Sequence, residues 1–352
     1  MSEPNHSAII DPKGHQADSP GEMPKAAWKD IAGRTWQRVW DDNVGLVAAG
    51  VAFYLFFALL SLLAMTVLFY GMAADVQTLV DTMRTLTAIL PTDVATLIGD
   101  QLLQAMKSSE GQRGLGLAVA FVVALYGGTN GAAALVTALN IAYEEKEKRS
   151  LFVFYLVAMA ITLCAVALVL LALVGVTAAL TLEKVYPASP ALLVAGKLLS
   201  YFALILVAAA IAATLYHFGP SRENAKWRWI TPGSIFAAVT WLLLTILFGL
   251  WVGTVSNYSA TYGSLGATVG LLTWMYLSAY VFILGAELNG EIEHQTAKDS
   301  TTGRPRQLGE RGAWAADNVA LDDTVQDRPE EVREGEKLTA ASPTVADADE
   351  RT

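Results

Sequence analysis

Residues 229–286 read WITPGSIFAAVTWLLLTILFGLWVGTVSNYSATYGSLGATVGLLTWMYLSAYVFILGA, 58 residues without one Asp, Glu, Lys, Arg or His. A hydrocarbon layer about 30 Å thick is crossed by roughly 20 helical residues, so this stretch is long enough for two crossings. Its one polar interruption, Gly253–Ser264, is rich in Gly, Ser, Thr, Asn and Tyr. That is turn chemistry, and it divides the stretch into two helices. Four further uncharged stretches lie upstream: Asn43–Ala74, Gly114–Tyr143, Ser150–Leu182 and Leu198–Tyr216. Each suits one crossing. The expected fold class is therefore all-α, a polytopic membrane protein with six transmembrane helices. A set of buried helices in a soluble protein does not fit, because such helices average about 11–12 residues and seldom stay uncharged for 30. The composition agrees, since only 16% of the 352 residues are charged against about 25% in soluble domains.

The basic residues give an orientation. With the N-terminus inside, five Lys/Arg precede the first crossing, three follow the second (Lys146, Lys148, Arg149), three follow the fourth (Arg222, Lys226, Arg228) and eight lie in the tail. The outside segments hold Arg84, Lys107, Arg113, Lys184 and Lys197. This asymmetry follows the positive-inside bias and predicts cytoplasmic termini. The net charge of −9 is mostly a property of residues 290–352, since residues 43–287 carry eleven acids and eleven bases.

Three regions are expected. Residues 1–42 form a cytoplasmic segment, in which Trp28, Trp36 and Trp40 among Lys29, Arg34 and Arg38 fit an interfacial helix. Residues 43–289 form the membrane domain, with an external loop at 74–113. That loop carries two amphipathic stretches separated by Pro91, suited to surface packing or to covering the bundle mouth. Residues 290–352 read as a disordered acidic cytoplasmic tail, poor in large aliphatics and with Trp314 its one aromatic.

Candidate chemistry is sparse. Cys164 is the single cysteine, and four scattered histidines give neither a metal-ligand spacing nor a nucleophile–base pair. No enzyme activity, metal or cofactor is expected, and an acidic chain without a basic groove is not expected to bind nucleic acid. No charge sits deep inside a crossing. Glu287, at the cytoplasmic end of the sixth helix and followed by Asn289, comes nearest. It reads either as a solvated helix end or as a substrate- or proton-handling carboxylate.

Uncharged polar residues fall on helical stripes. Asn43, Gly50, Tyr54 and Ser61 share a sector of the first crossing, and Tyr126, Asn130 and Thr137 a face of the second. Ser234, Trp241 and Thr245 align on the fifth crossing; Gly266, Thr273, Tyr276, Tyr280 and Glu287 align on the sixth. The stripes admit two readings, interhelical hydrogen bonding or convergence on a path for an amphiphilic or uncharged substrate. The candidate path is Asn43, Tyr54, Ser61, Tyr126, Asn130, Thr137, Trp241, Thr245, Thr273, Tyr276, Tyr280 and Glu287. Gly127/Gly131 and Gly266/Gly270 form GxxxG pairs that favour close helix packing, with local unwinding around Asn130 as the alternative.

Taken together, Trp227-Arg-Trp-Ile-Thr-Pro-Gly233, Trp241, Tyr258–Gly266, Trp274 and Leu284-Gly-Ala-Glu-Leu-Asn289 resemble the YihY/BrkB family. Ala48–Ser61 and Ala138–Tyr143 with Arg149 extend the resemblance over about residues 28–295. The chain departs from the family pattern at Ser61-Leu-Leu-Ala64, where Phe-Pro is usual, and at Gly127–Gly131, where a Trp/Ser-containing stretch is more common. The resemblance implies a six-helix inner-membrane protein tied to envelope integrity, serum resistance as a virulence factor, and export of a lipid or small molecule. It also brings an old ribonuclease BN label, which the absent His/Asp cluster argues against. The function expected is transport or export of an amphiphilic or lipid-like substrate. The alternative is a non-transporting scaffold that recruits envelope partners. Membrane lipids, such a substrate and a second copy of the chain are the partners considered.

Overall fold

A computed structural model describes residues 13–73, 110–164, 167, 190–254 and 264–320. The two amphipathic stretches expected between Ala74 and Glu110, the Tyr258–Tyr262 part of the family pattern and residues 321–352 lie outside the described residues.

The helices among the described residues are α1 Lys25–Asp41, α2 Val44–Ala73, α3 Glu110–Ala142, α4 Leu151–Cys164, α5 Pro190–Phe218, α6 Trp227–Thr254, α7 Ser264–His294 and a single-turn α8 Trp314–Asp317. Four of them contain segments long and apolar enough to cross a membrane: Phe121–Ala142, Tyr201–Phe218, Trp227–Val252 and Thr268–His294. A fifth crossing is available if α1 and the first half of α2, bent by 63° at their junction, count as one broken span. The chain is thus all-helical with four to five candidate spans among the described residues. The third crossing expected from the sequence begins as α4, and its continuation towards Leu182 lies outside them.

Burial runs opposite to that of a soluble bundle. Leu46, Phe53 and Phe57 on α2, Phe121 and Val122 on α3, and Leu243, Leu247, Leu250 and Trp251 on α6 are exposed, as lipid-facing side chains are. The interior is built from small residues, with Ala48, Ala138, Ala142, Ala212, Ala279 and Ala286 packed around Val44, Val51, Leu139, Tyr216 and Ile283. In lipid the apolar tails give helices little reason to associate, and small side chains that allow close backbone contact supply it. α7 is the central element and packs against α1, α2, α3, α6 and α8.

The α1–α2 bend sits at Asp42–Asn43. Asn43 has φ 51°, a left-handed conformation that Asn tolerates better than most residues. α1 turns Ala27, Ile31, Thr35 and Val39 inward at four-residue spacing and leaves Trp36 and Trp40 exposed. Trp227 and Phe218 are exposed at the same end of the bundle, giving a belt of the kind that marks a membrane boundary.

The tail expected to be disordered from residue 290 is ordered as far as Ala320, a correction for residues 290–320. It packs against the N-terminal segment. Ala297 N–H donates to His15 O at 2.7 Å, Gln295 Nε2 to Lys13 O at 2.8 Å and Thr296 Oγ1 to Ala17 O at 2.8 Å. It also pairs with the α5–α6 loop, through Lys226 N–H to Ser300 O at 2.8 Å and Thr302 N–H to Asn224 O at 2.8 Å. Beneath it, Ala17, Met23, Ala27, Ile31, Trp229 and Ile292 form a second apolar core. The order comes from polar groups satisfying backbone, not from large aliphatics. Arg311 donates to the carbonyls of Ala316 (2.7 Å), Ala297 (2.7 Å), Lys298 (3.2 Å) and Arg306 (3.3 Å), while Asp317 accepts from the N–H groups of Gly309, Arg311 and Gly312. Arg311→Ala leaves these carbonyls without their donor and opens residues 298–320. Limited trypsin digestion should then cut there well before it attacks the bundle, whereas the unaltered chain resists at the same sites.

Candidate functional site

The C-terminal half of α7 continues Leu-Gly-Ala-Glu-Leu-Asn-Gly-Glu-Ile-Glu-His from Leu284 to His294. Four polar residues at alternate positions fall on two sides of a helix. Glu287 and Glu291 share one face, Asn289 and Glu293 the other. None is solvated: Glu287 is 1% exposed, Asn289 0%, Glu291 4% and Glu293 0%. A carboxylate buried this deeply needs partners or a proton.

The first face meets α1. Arg34 Nε donates to Glu291 Oε2 at 2.6 Å and Arg34 Nη2 to Gln295 Oε1 at 2.7 Å. Arg38 Nε donates to Glu291 Oε1 at 3.3 Å, and its Nη1 pairs with Glu144 just beyond α3. The Arg38 guanidinium lies 5.4 Å from the centre of the Trp314 ring, and His294 packs on the same indole. The tail thus roofs this cluster. Trp314 N–H is fixed by Glu145 Oε1 at 2.6 Å. Glu287 lies one turn earlier on α7, on the same side as Glu291. Among the described residues its Oε1 is buried without a hydrogen-bond partner, as is Asp42 Oδ2. Burial, with Glu144 beside it, pushes the Asp42 carboxyl above the ordinary carboxylate range against the pull of Arg38.

The second face meets the α5–α6 loop and α6. Arg222 Nη2 bonds Glu293 Oε2 at 2.6 Å with both side chains essentially inaccessible, and Ser300 Oγ donates to the same oxygen at 2.8 Å. Arg222 also stands 4.9 Å over the Tyr143 ring. Asn289 clamps the start of α6: its Oδ1 accepts from Gly233 N–H at 2.8 Å and its Nδ2 donates to Ile230 O at 2.9 Å. This clamp sits beside Pro232, which has no N–H to give the helix. Nearby, Asn140 joins the α3 end to both loops by accepting from Ser221 N–H at 2.7 Å and donating to Glu147 at 2.9 Å. The Arg149 guanidinium, bonded to both Glu147 oxygens, holds that carboxyl down at about 2.

Of the residues chosen from the sequence, Glu287 stands in this cluster and the rest are dispersed. Trp241 Nε1 donates to Ser278 at 3.1 Å and Trp274 Nε1 to Thr245 at 3.3 Å, so Trp241 and Thr245 belong to the α6–α7 seam. Tyr276 and Tyr280 pack on the central core, Tyr276 beside Gly45. Asn130, Thr137 and Thr273 donate to carbonyls of their own helices, Tyr126, Ala133 and Val269. Tyr54 and Tyr126 are exposed, and so is Asn43, whose Nδ2 donates to Asp41 O at the bend. Ser61 lies in α2, with its side chain outside the described residues. Gly127 abuts the Ala58 backbone and Gly131 lies against Leu55, where α3 crosses α2. Gly266 is half-buried, and a Cβ at Gly270 would meet nothing within 4 Å.

Sequence reasoning missed Arg34, Arg38, Asp42, Glu144, Glu291, Glu293 and Arg222. A usable signal was present in the matched four-residue spacings, Arg34/Arg38 on α1 against Glu287/Glu291 on α7. Among the described residues, no three His, Cys, Asp or Glu side chains are grouped as metal ligands.

A family model described as virulence factor BrkB matches residues 35–309. The ribonuclease-like protein YfkH of Bacillus subtilis (strain 168) is 32% identical over 59% of this chain and 81% of its own length. A UPF0761 membrane protein of Albidiferax ferrireducens is 28% identical over 80% of this chain and 66% of its own, and one of Rhodospirillum centenum 24% identical over 86% and 64%. The chain thus spans just under two thirds of the length of these two UPF0761 proteins. No solved structure matches it.

Proposed function

The chain belongs to the virulence factor BrkB family of multi-pass bacterial membrane proteins, and from that premise we propose that it moves an amphiphilic or lipid-like substrate across or within the bacterial cytoplasmic membrane. The observation that supports this reading is Glu287, a carboxylate fully buried in a candidate membrane span with one oxygen unpartnered among the described residues. An ionisable group inside a span is costly and is kept where it handles a substrate or an ion. Glu291, by contrast, has both oxygens paired with arginines and reads as framework. The exposed apolar faces of α2, α3 and α6 leave a lipid-like molecule free to reach the bundle sideways from the bilayer. The ribonuclease-like name of the Bacillus relative is not carried over, and no enzyme activity is proposed for this chain.

A scaffold role is the second reading. The ordered platform of both terminal segments favours it, since it offers a folded surface at one end of the bundle. The two readings separate in a deletion strain whose envelope lipids and metabolites are profiled. Transport predicts an accumulated amphiphile, cleared by the wild-type gene and not by Glu287→Ala expressed at the same level. A strain rescued equally by both genes, or one with an unchanged lipid profile, contradicts transport.

A further inference from the structure

The charges around Glu287 do not balance. Four carboxylates are arranged about Arg38: Glu144 and Glu291 pair with its guanidinium, Asp42 follows it by one turn with its N–H bonded to Arg38 O at 2.9 Å, and Glu287 lies one turn before Glu291 on α7. Facing them are Arg34 and Arg38 of α1, with His294 at the rim beside Glu291 and the Tyr143 hydroxyl on the α3 side. Both guanidiniums are engaged elsewhere: Arg34 with Glu291 and Gln295, Arg38 with Glu291 and Glu144. Among the described residues neither donates to Glu287 or Asp42, and each of these carboxyls keeps one buried oxygen without a partner. Buried carboxyl oxygens beside a guanidinium already engaged by two other carboxylates cannot all stay ionised without compensation, and a bound proton removes the cost.

We propose that Glu287 and Asp42 form a proton-exchange site that holds one proton at neutral pH, with Arg38 as its adjoining counter-ion. Asp42 is half-buried at the bend and keeps the contact with water that the inaccessible Glu287 lacks. When the proton leaves, the new charge competes with Glu291 and Glu144 for Arg38. The Arg38 guanidinium also lies against the Trp314 ring at 5.4 Å, so the roof formed by the tail follows the protonation state. Use of this proton as the coupling ion rests on the transport reading. The existence of the site does not.

The test is infrared difference spectroscopy on the full chain in lipid nanodiscs, stepped through pH in H2O and D2O. The expected result is a carbonyl stretch of a protonated carboxylic acid at neutral pH, isotope-shifted in D2O and lost in Glu287→Gln. Asp42→Asn should move the pH at which the band disappears downward by about one unit or more, because a like charge has been removed. If Glu287→Gln does not fold, wild-type protein grown with 13C-glutamate answers the same question, since the band must then shift. Absence of the band in the wild-type chain, or a band indifferent to both the substitution and the label, overturns the site. A second arm imposes a pH gradient on proteoliposomes and follows a fluorescent phospholipid analogue. Flux that responds to the gradient in the wild type and not in Glu287→Gln supports coupling. Gradient-independent flux with the band intact overturns the coupling role while leaving transport standing. No flux with the band intact contradicts transport and still supports the site.

Discussion

Arg222→Ala is expected to destabilise the folded chain by about 3–5 kcal/mol, the cost of leaving a buried charge without its partner. Arg222 and Glu293 bond at 2.6 Å with side chains 2% and 0% exposed, so water cannot replace the lost guanidinium. Ser300 donates to the same carboxylate oxygen, and the Tyr143 ring under Arg222 loses its cation. The pair ties the α5–α6 loop to the central helix and, through Ser300, to the tail. Thermal unfolding in detergent, followed by tryptophan fluorescence, reads the effect. The double substitution Arg222→Met with Glu293→Leu should recover much of the loss, because it removes both charges and keeps the volume. Arg306→Ala is the control: its partner Glu223 and Arg306 itself are 47% and 43% exposed. Screened ion pairs of that kind contribute little, so the unfolding midpoint should hardly move. Equal effects at Arg222 and Arg306 would contradict the burial on which the site rests.

The second large effect is steric and lies where α5, α6 and α7 meet. A Cβ at Gly285 would come within 2.6 Å of the Tyr216 hydroxyl and 2.8 Å of Ala237 Cβ and Gly233 O. A Cβ at Gly233 would fall on the Gly285 carbonyl and on the Asn289 amide. Neither backbone can yield without separating the helices, which breaks the Tyr216 hydroxyl bond to Phe282 O and the Asn289 clamp. Gly285→Ala and Gly233→Ala should each cost about 1–3 kcal/mol by overpacking, and Gly285→Leu should prevent assembly. Gly270→Ala and Gly249→Ala meet open space and should be neutral or stabilising by up to about 1 kcal/mol, since alanine favours the helix. Size-exclusion profiles of the four alanine variants, with their unfolding midpoints, decide the matter.

These two sites show what sequence patterning reveals and what it leaves out. Uncharged length is a direct physical requirement of the bilayer, so the greater part of the helices at Phe121–Ala142, Trp227–Val252 and Thr268–His294 is legible from the uncharged stretches Gly114–Tyr143 and Trp229–Ala286. Helical stripes were less informative. Asn130, Thr137 and Thr273 satisfy themselves on their own helices, an option that the 100° spacing cannot distinguish from an interhelical bond. The close approach that GxxxG patterns advertise is more severe at Gly233 and Gly285, which belong to no such pair, than at Gly127 and Gly131, because it depends on which helices cross and where.

The charged cluster was hidden for a different reason. Arg34 and Glu291 are 257 positions apart, and only the tertiary fold brings the α1 arginines to the α7 carboxylates. The tail was misjudged because apolar content is a poor guide when order comes from one arginine and two aspartates satisfying backbone groups. Arg311, Asp299 and Asp317 do that over residues 297–317. A truncation meant to leave the bundle intact should therefore begin at residue 321 and not at 296.

The most direct measurement of the central claim is transbilayer movement of a fluorescent phospholipid analogue in liposomes that contain the full chain. The account predicts movement well above protein-free liposomes, retained when residues 321–352 are removed and returned to background by Glu287→Ala in protein that elutes like the wild type. Movement in wild-type liposomes no faster than in protein-free ones, or undiminished by Glu287→Ala, would contradict it.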